Sequence, residues 1–490
     1  MKKLSENKHT DWRLSKIERY FYYLGDLGRS GSALIVSSLM NTFLMFQGIN
    51  LVALAGFTLF VKIVDAMDDV VFGFLVDKIK LTDSTKLKKI TGAGKYMPWF
   101  RLTFTMLPVV TILFFAMPNN IPDSAKLIWF MITYLLYDLA CTLCEVPMNS
   151  MVMTLTDSVE ERSHILKIKG VLMTVATIAF AGIILALTSE HVGLPVSYVA
   201  IAFAIIFLGA MLPMALKTKE YNTQLKNSTI EADEKYSLRD MLNCVKTNKY
   251  MAILLVSTLL FAGLNTSTSI QLFASFYVLG DSLVILLPTV IAFIPGIILD
   301  MNADKIAKKF GKKKSMFAIG LLAAVFYAIL FFLKDSNVAV IVAVTSVACL
   351  PGAVRYVFLN LLIPDTIEYT RYKTGKDCSG IFYSMNSFVN KVTSGLSSSI
   401  AFFILGLAGW VDVNATDFAD LASQGVTQTP QAISALWAVY TIVPAVGFLL
   451  SALAFVFYNI KDKDAELMSR CNAGEITREE CEAQIEKKYE

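Results

Sequence analysis

Apolar segments of about 20 residues recur along the whole chain, and they constrain its fold more than any other feature. Segments of this length can cross the hydrocarbon core of a bilayer as helices. The chain is 55% hydrophobic and only 17% charged, whereas soluble domains carry about 25% charged residues. The sequence therefore predicts an all-α membrane protein with twelve transmembrane helices, near residues 19–46, 50–76, 98–118, 125–154, 165–188, 193–216, 247–277, 282–301, 315–334, 337–362, 381–410 and 431–460.

Basic residues cluster in every second connection between these segments and in both tails. Only Lys126 and Lys334 fall in the connections that face the other way. Because lysine-rich and arginine-rich connections stay on the cytoplasmic side of a membrane, both termini are predicted to be cytoplasmic. The N-terminal tail has no apolar core of the kind that marks a removable signal peptide, so none is expected. Four basic residues remain inside predicted spans, namely Arg29, Lys62, Arg355 and Lys391.

A polar stretch in the middle of the chain divides the spans into two sets of six. Short patterns repeat in both sets, such as Gly73 to Asp77 and Gly296 to Asp300 at the ends of spans 2 and 8. Internal repeats of this kind are common in transporters, whose sites lie where the repeats meet. The predicted organisation is an N-terminal tail (1–18), a six-helix bundle (19–216), a cytoplasmic linker (217–246), a second six-helix bundle (247–460) and a C-terminal tail (461–490).

Span 2 contains an unusual group of charged residues, since Lys62, Asp65, Asp68 and Asp69 lie within eight positions of an apolar segment. Residues three or four apart share one face of a helix. An ionised group near the centre of a bilayer costs roughly 3 kcal/mol, so such groups usually line a polar cavity or an ion path. A packed salt bridge is the alternative. Because three acids face one base here, the pattern favours a cation site.

Several fragments in this order resemble the glycoside-pentoside-hexuronide:cation symporters of the major facilitator superfamily, the family of the melibiose carrier. The resemblance covers about 450 residues and leaves out the tails. It implies the major facilitator fold and cation-coupled secondary transport. The fragments that carry it are Leu24 to Gly28, Asp65 to Asp69 with Gly73, Gly94 to Trp99, Thr133 to Tyr134, Glu145 to Pro147, Pro364 to Tyr369, Lys373 to Gly375 and Tyr383 to Lys391.

The resemblance also implies roles for individual residues. Asp65 and Asp69 match acids that bind the coupling cation, and they would be the metal ligands if the ion is Na+. Asp68 and Thr142 match two further cation ligands. The positions implied for substrate binding are Asp26, Arg29, Glu145, Asn149, Asn386, Ser387 and Lys391. Lys391 also resembles a lysine of span 11 that lies close to the acids of span 2. For Asn386 and Ser387, hydrogen bonding between helices is the alternative.

The chain departs from the family pattern mainly among the sugar-binding positions. Ser30 replaces an acid, Asn149 an aromatic residue, Gly170 an arginine and Asp138 a glycine. The chain therefore matches the family more closely at the cation-binding positions than at the sugar-binding positions. Transport by cation coupling is supported more strongly than any particular sugar.

These observations predict symport of a sugar or glycoside with H+, Na+ or Li+ by alternating access, and no other cofactor. Arg355 indicates an acidic glycoside such as a hexuronide, because guanidinium binds carboxylate in a bidentate manner. The alternative is that Arg355 pairs with Asp26, Asp138 or Glu145. A lysolipid or another amphiphile is the alternative cargo.

An enzyme is disfavoured because the spans carry no pattern of nucleophile or metal ligands. The expected partners are the small-molecule substrate, the coupling cation and membrane lipid, with no nucleic acid. A monomer in a bacterial inner membrane is the expected setting.

Overall fold

The structure is a computed structural model that describes residues 12–78, 91–92, 94–221, 248–375 and 379–485, with side chains for all of these except residues 68–78. Apart from one turn of π-helix at Ser275–Leu279 and one isolated β-bridge, the named elements are α-helices. They are α1 Lys16–Met45, α2 Leu51–Lys78, α3 Met97–Thr103, α4 Met106–Phe115, α5 Asp123–Leu155, α6 Val159–Thr188, α7 Val196–Lys217, α8 Lys249–Gly263, α9 Ser267–Ala274, α10 Leu286–Met301, α11 Ala303–Phe310, α12 Lys312–Phe332, α13 Val338–Thr374, α14 Ser379–Leu407, α15 Phe418–Gln424, α16 Pro430–Ala454, α17 Asp462–Asn472 and α18 Arg478–Gln484.

Nine helical segments in the described ranges are long and apolar enough to cross a membrane, or ten if α10 and α11 form one bent span. Each of the twelve predicted segments contains helix. The count of twelve spans and the cytoplasmic placement of both termini remain predictions. The all-helical membrane architecture is confirmed.

Two helices extend further than the hydropathy pattern indicates. α13 continues to Thr374, about three turns beyond the predicted boundary at residue 362. A pattern of Asp and, three residues later, Glu follows both span 4 and span 10, at Asp157 and Asp365. Asp365 lies within a helix, whereas Asp157 lies in the turn before α6. α6 begins at Val159 rather than near residue 165, because the Ser158 side chain accepts a hydrogen bond from the Glu161 N–H and caps the helix.

The chain forms two compact units. Unit 1 comprises residues 1–49, 67–233 and 412–426, and unit 2 comprises residues 50–66, 234–411 and 427–490. The first part of α2 thus groups with the C-terminal helices, and the segment after α14 groups with the N-terminal ones. The bundle boundaries at residues 19–216 and 247–460 remain predictions.

In unit 1, small residues let α1 lie close against α7. A Cβ atom added to Gly25 would be 2.1 Å from the Met214 sulfur, and one added to Gly28 would be 2.5 Å from the Phe207 carbonyl oxygen. Small residues at every third or fourth position commonly allow such contact in membranes. This packing fixes the backbone on either side of the buried Asp26.

Two acidic residues connect loops to helices in unit 1. Glu220 accepts hydrogen bonds from the backbone N–H groups of Lys95, Tyr96 and Met97 at the start of α3. Glu161 accepts hydrogen bonds from the backbone N–H groups at residues 13 and 14. Both acids satisfy N–H groups that have no partner within a helix.

In unit 2, the first part of α2 runs antiparallel to α14 along a line of small residues. A Cβ atom added to Gly406 would be 2.7 Å from Val52 Cγ2, and one added to Gly395 would be 2.3 Å from Lys62 Cβ. Between these points the Ser399 hydroxyl donates to the carbonyl oxygen of residue 55 at 2.8 Å. The close approach continues to Lys391, which contacts α2.

The C-terminal tail is helical and packs on unit 2. Met468 of α17 is fully buried in a cluster with Leu362 and Tyr369 of α13. Thr477 forms a capping box with Glu480 at the start of α18. The sequence pattern Thr-Arg-Glu-Glu predicts this cap, and the prediction is confirmed.

Candidate functional site

The most buried charged group of unit 2 among the predicted site residues is Asp65, whose accessible surface is 2%. Its carboxylate lies 2.5 Å from the Lys391 amine and 3.3 Å from the Lys62 amine. The Lys391 amine also donates to the Asp65 carbonyl oxygen at 3.4 Å. One carboxylate therefore lies between an amine of its own helix and an amine of α14.

Asp68 and Asp69 belong to the same helix, but their side chains lie outside the described residues. Of the three acids of span 2, the structure describes the side chain of Asp65, which faces two bases, Lys62 and Lys391. The part of Asp68 and Asp69 in a cation site remains a prediction.

A second cluster lies in unit 1 and forms a closed ring of five side chains. Asp26 pairs with Arg29 at 3.4 Å and with Lys169 at 3.3 Å, and Arg29 pairs with Glu145 at 3.2 Å. Asn149 donates to Glu145 at 3.4 Å and accepts from Lys169 at 3.5 Å. The ring joins α1, α5 and α6 and contains two acids and two bases, so its charges balance.

Lys169 is the member of this ring that the sequence analysis missed. The predicted span 5 begins near residue 165, about one turn before Lys169, whereas α6 begins at Val159 and places Lys169 about three turns inside the helix. A signal for the earlier helix start was present. Ser158 followed by Glu160 and Glu161 is an N-cap followed by acids in the first turn.

Two polar residues that the sequence analysis names, Asp138 and Thr142, lie on α5 a few positions before the ring residue Glu145. Asp138 and Thr142 have accessible surfaces of 5% and 7%. They precede Glu145 by seven and three positions, which places all three on neighbouring parts of one helix face. Thr142 belongs to unit 1 and Asp65 to unit 2, so a shared cation site for them remains a prediction.

Arg355 is buried in unit 2, with an accessible surface of 5%. One of its terminal nitrogens donates to the Ser257 hydroxyl at 2.9 Å, and the other has no hydrogen-bond partner among the described residues. The guanidinium carbon lies 4.3 Å above the ring centre of Phe261 and 5.9 Å from that of Phe455. Arg355 is thus held by a hydroxyl and two aromatic faces of its own unit.

Asn386 and Ser387 lie on α14 before Lys391. Asn386 is partly buried and Ser387 is exposed. Ser387 and Lys391 are four residues apart and therefore share a helix face. The substrate-binding role of both polar residues remains a prediction.

Comparison with known proteins identifies the family of this chain. The family described as MFS/sugar transport protein matches residues 21–462. The chain belongs to this family. Members are transporters of the major facilitator superfamily, so the protein is a multi-pass membrane transporter and not an enzyme.

Relatives of known description cover almost the whole length of this MFS/sugar transport protein. It is 26% identical to the isoprimeverose transporter of Lactiplantibacillus pentosus, over 92% of this chain and 90% of the relative. It is 24% identical to the glucuronide carrier protein homolog of Escherichia coli strain K12, over 90% and 92% of the two chains.

The fold is also similar to that of solved transporters. The crystal structure of the nucleoside transporter NupG matches with a TM-score of 0.58 at 11% identity, over 91% of this chain and all of that one. At this identity the similarity concerns the fold alone. The resemblance to the glycoside-pentoside-hexuronide:cation symporters, which the motifs predict, is confirmed by the family and its relatives.

Proposed function

We propose that the protein is a symporter that couples uptake of a sugar or glycoside to H+ or Na+. The observation that carries the proposal is the position of Asp65 between the amines of Lys62 and Lys391. Because the Asp65 carboxylate is held by two amines, a cation can bind to it only by displacing one of them. The sugar assignment is supported by the family and by relatives that carry isoprimeverose and, by homology, glucuronides.

Coupling follows from competition for the Asp65 carboxylate. A cation bound there takes the place of one amine. The Lys391 amine can move further from Asp65 than the Lys62 amine can, because Lys391 lies on a different helix. Ser387 and Lys391 share a face of α14, so a shift of Lys391 alters a surface that we assign to substrate. Binding of cation and substrate is then reciprocal, with a coupling free energy of about 1 to 3 kcal/mol.

Alternating access between the two six-helix bundles completes the proposed mechanism. In unit 1 we assign substrate binding to the polar residues of the ring, namely Asp26, Arg29, Glu145, Asn149 and Lys169. In unit 2 we assign it to Asn386 and Ser387 of α14. A sugar offers hydroxyl groups that both donate and accept, which suits a ring that contains carboxylates, cations and an amide. The working unit is a monomer in a bacterial inner membrane.

The experiment is uptake into proteoliposomes of a panel of neutral and acidic glycosides, with Na+ and H+ gradients imposed separately. We expect accumulation of at least one glycoside under one of the two gradients. Accumulation of a lysolipid in place of every glycoside would contradict the sugar assignment. Equal uptake with and without either gradient would contradict the coupling.

We further propose that the substrate carries an anionic group and that Arg355 binds it. The support is a buried guanidinium with one terminal nitrogen that has no hydrogen-bond partner among the described residues, together with a relative described as a glucuronide carrier homolog. Guanidinium favours carboxylate and sulfonate because its planar donors match two oxygens at once.

Replacement of Arg355 distinguishes recognition of the substrate's charge from a role of Arg355 in packing. Arg355→Gln is expected to lower uptake of a glucuronide at least tenfold relative to the matching neutral glucoside, because a charge-assisted hydrogen bond contributes about 1.5 to 3 kcal/mol. Ser257→Ala removes the hydroxyl that Arg355 contacts but keeps the charge, and it is expected to keep the preference for the acid. An equal loss for both sugars in Arg355→Gln would assign Arg355 to packing alone.

A further inference from the structure

An apolar groove on the surface of unit 2 is not part of the proposed transport site. It has a volume of about 490 Å³ and is lined by residues of α10, α11, α12 and α13, among them Leu299, Ile306, Leu322, Val347 and Phe358. This volume lies within the range of about 300 to 1,000 Å³ that is typical of small-molecule sites. The helices α12 and α13 are candidate membrane spans, so the groove lies where lipid chains are available.

A polar pocket continues from one end of this groove. It has a volume of about 390 Å³ and is lined by Lys313, Lys314, Lys461 and Asp462, among others. Phe310 and Lys314 line both cavities. The two cavities therefore form a continuous path that is apolar along the helices and basic at its end.

The charges around the polar pocket favour an anion. Three lysines line it against one acid, Asp462, whose carboxylate already accepts a hydrogen bond from the backbone N–H of residue 312 at 3.0 Å. Lys313 is directed to the carbonyl oxygen of residue 456 at 2.9 Å. Lys314 is exposed and makes no hydrogen bond or ion pair with any residue that the structure describes.

The short helix α11 extends this basic surface. α10 and α11 meet at an angle of 58°. One side of α11 is buried through Ala303 and Ala307, whereas its lysines are exposed. An amphipathic helix with basic residues on its polar side typically lies in the interface of a membrane. α11 thus places the polar pocket at the level of the lipid headgroups.

We propose that this path is a binding site for an anionic phospholipid, with an acyl chain in the groove and the phosphate at Lys314. Basic pockets between spans on the cytoplasmic side are known to hold acidic headgroups. A free phosphate ion would use only the polar pocket, because the groove beyond Lys314 and Ser315 is lined by apolar residues. A zwitterionic lipid could fill the groove but would gain less from the lysines.

The test is native mass spectrometry of the full-length protein in detergent, with phosphatidylglycerol and phosphatidylcholine of identical acyl chains added in turn. We expect phosphatidylglycerol to bind more tightly, and Lys314→Gln to weaken it about fivefold, since one lysine near an anionic surface contributes about 1 kcal/mol. Lys334→Gln is the matched control. It removes a lysine beyond the other end of α12 that also lacks a partner among the described residues, and it is expected to leave binding unchanged.

A second variant tests the groove itself. Ala318→Trp adds a large side chain to a position that lines the groove, and it is expected to weaken both lipids. Equal binding of the two lipids that Lys314→Gln does not change would overturn the proposal. Competition by glycerol phosphate at the same concentration as the lipid would also overturn it, because the site would then belong to a free anion.

Discussion

At the scale of single residues, the structure shows which charged groups within the helices contact one another. The sequence pattern places an excess of acid in span 2, and it correctly singles out Asp65, Lys62 and Lys391 as unusual. The family resemblance implies that Lys391 lies close to the acids of span 2. The sequence pattern by itself could not show that both amines meet one carboxylate, because that depends on how α2 packs against α14.

The ring in unit 1 shows the same limit of sequence reasoning. Asp26, Arg29, Glu145 and Asn149 are all predicted site residues, and the structure brings them together. Lys169 completes the ring, but it lies only four residues after the predicted start of span 5 at residue 165, whereas the helix begins at Val159. Charged residues lower the mean hydropathy of a window, so a helix that begins with a charged first turn is predicted to start too late.

Removal of the acid at the centre of this ring is expected to destabilise the protein. Asp26→Asn leaves Arg29 and Lys169 with one acid instead of two in a buried setting, and breaking a buried pair from one side costs about 3 kcal/mol. The measurement is thermal unfolding in detergent. Glu466→Gln, at an exposed position of α17, is the control and is expected to change stability by less than about 0.5 kcal/mol. Similar melting curves for the two variants would argue against a stabilising ring.

At the scale of elements, close packing of helices positions the charged groups. The stripe of Gly395, Ser399 and Gly406 on α14 lets α2 approach closely enough for Lys391 to contact Asp65. The sequence shows these small residues, but it does not show which helix they face. Small residues allow contact with any neighbouring helix, and the partner is decided by the tertiary fold.

A methyl group added at Gly395, at one end of this stripe, is expected to push the helices apart. Gly395→Ala would bring a Cβ within 2.3 Å of Lys62 Cβ, and overpacking of this kind costs about 1 to 3 kcal/mol. Gly352→Ala is the matched control, because no atom lies within 4 Å of the added Cβ at that position of α13. We expect the control to be neutral or slightly stabilising, as Gly to Ala changes without strain usually are.

The comparison uses the free energy of unfolding and gradient-driven uptake together. Gly395→Ala is expected to lower both, since it displaces Lys62 and loosens the contact between Lys391 and Asp65. Equal stability of the two alanine variants would show that α2 and α14 are not in close contact in the membrane.

At the scale of the whole molecule, the sequence predicts fold class well and boundaries less well. Apolar segments long enough to span are visible in the sequence, because lipid requires every backbone group to be satisfied within a continuous helix. The start of α6 and the end of α13 lie outside the predicted bounds, because the terminal turns there are polar and extend beyond the apolar stretch. The grouping of residues 50–66 with unit 2 could not be predicted from sequence order.

The positions of the loops relative to the membrane follow from the distribution of basic residues. A fluorescent reporter fused after residue 490 or inserted in the linker 217–246 is expected to fold in the cytoplasm and to fluoresce. A phosphatase reporter fused after Lys334 is expected to be active, because that connection is predicted to lie outside. The opposite pattern would reverse the proposed orientation and would place the basic pocket at Lys314 in the outer leaflet.

The central claim is that Asp65 couples the cation to the substrate, and the most direct measurement compares two kinds of transport in Asp65→Asn. Accumulation driven by an ion gradient needs the coupling, whereas exchange of labelled for unlabelled substrate across the membrane needs only the substrate site and alternating access. We expect Asp65→Asn to lose gradient-driven accumulation by at least tenfold and to retain exchange. Accumulation at the wild-type level in this variant would contradict the account.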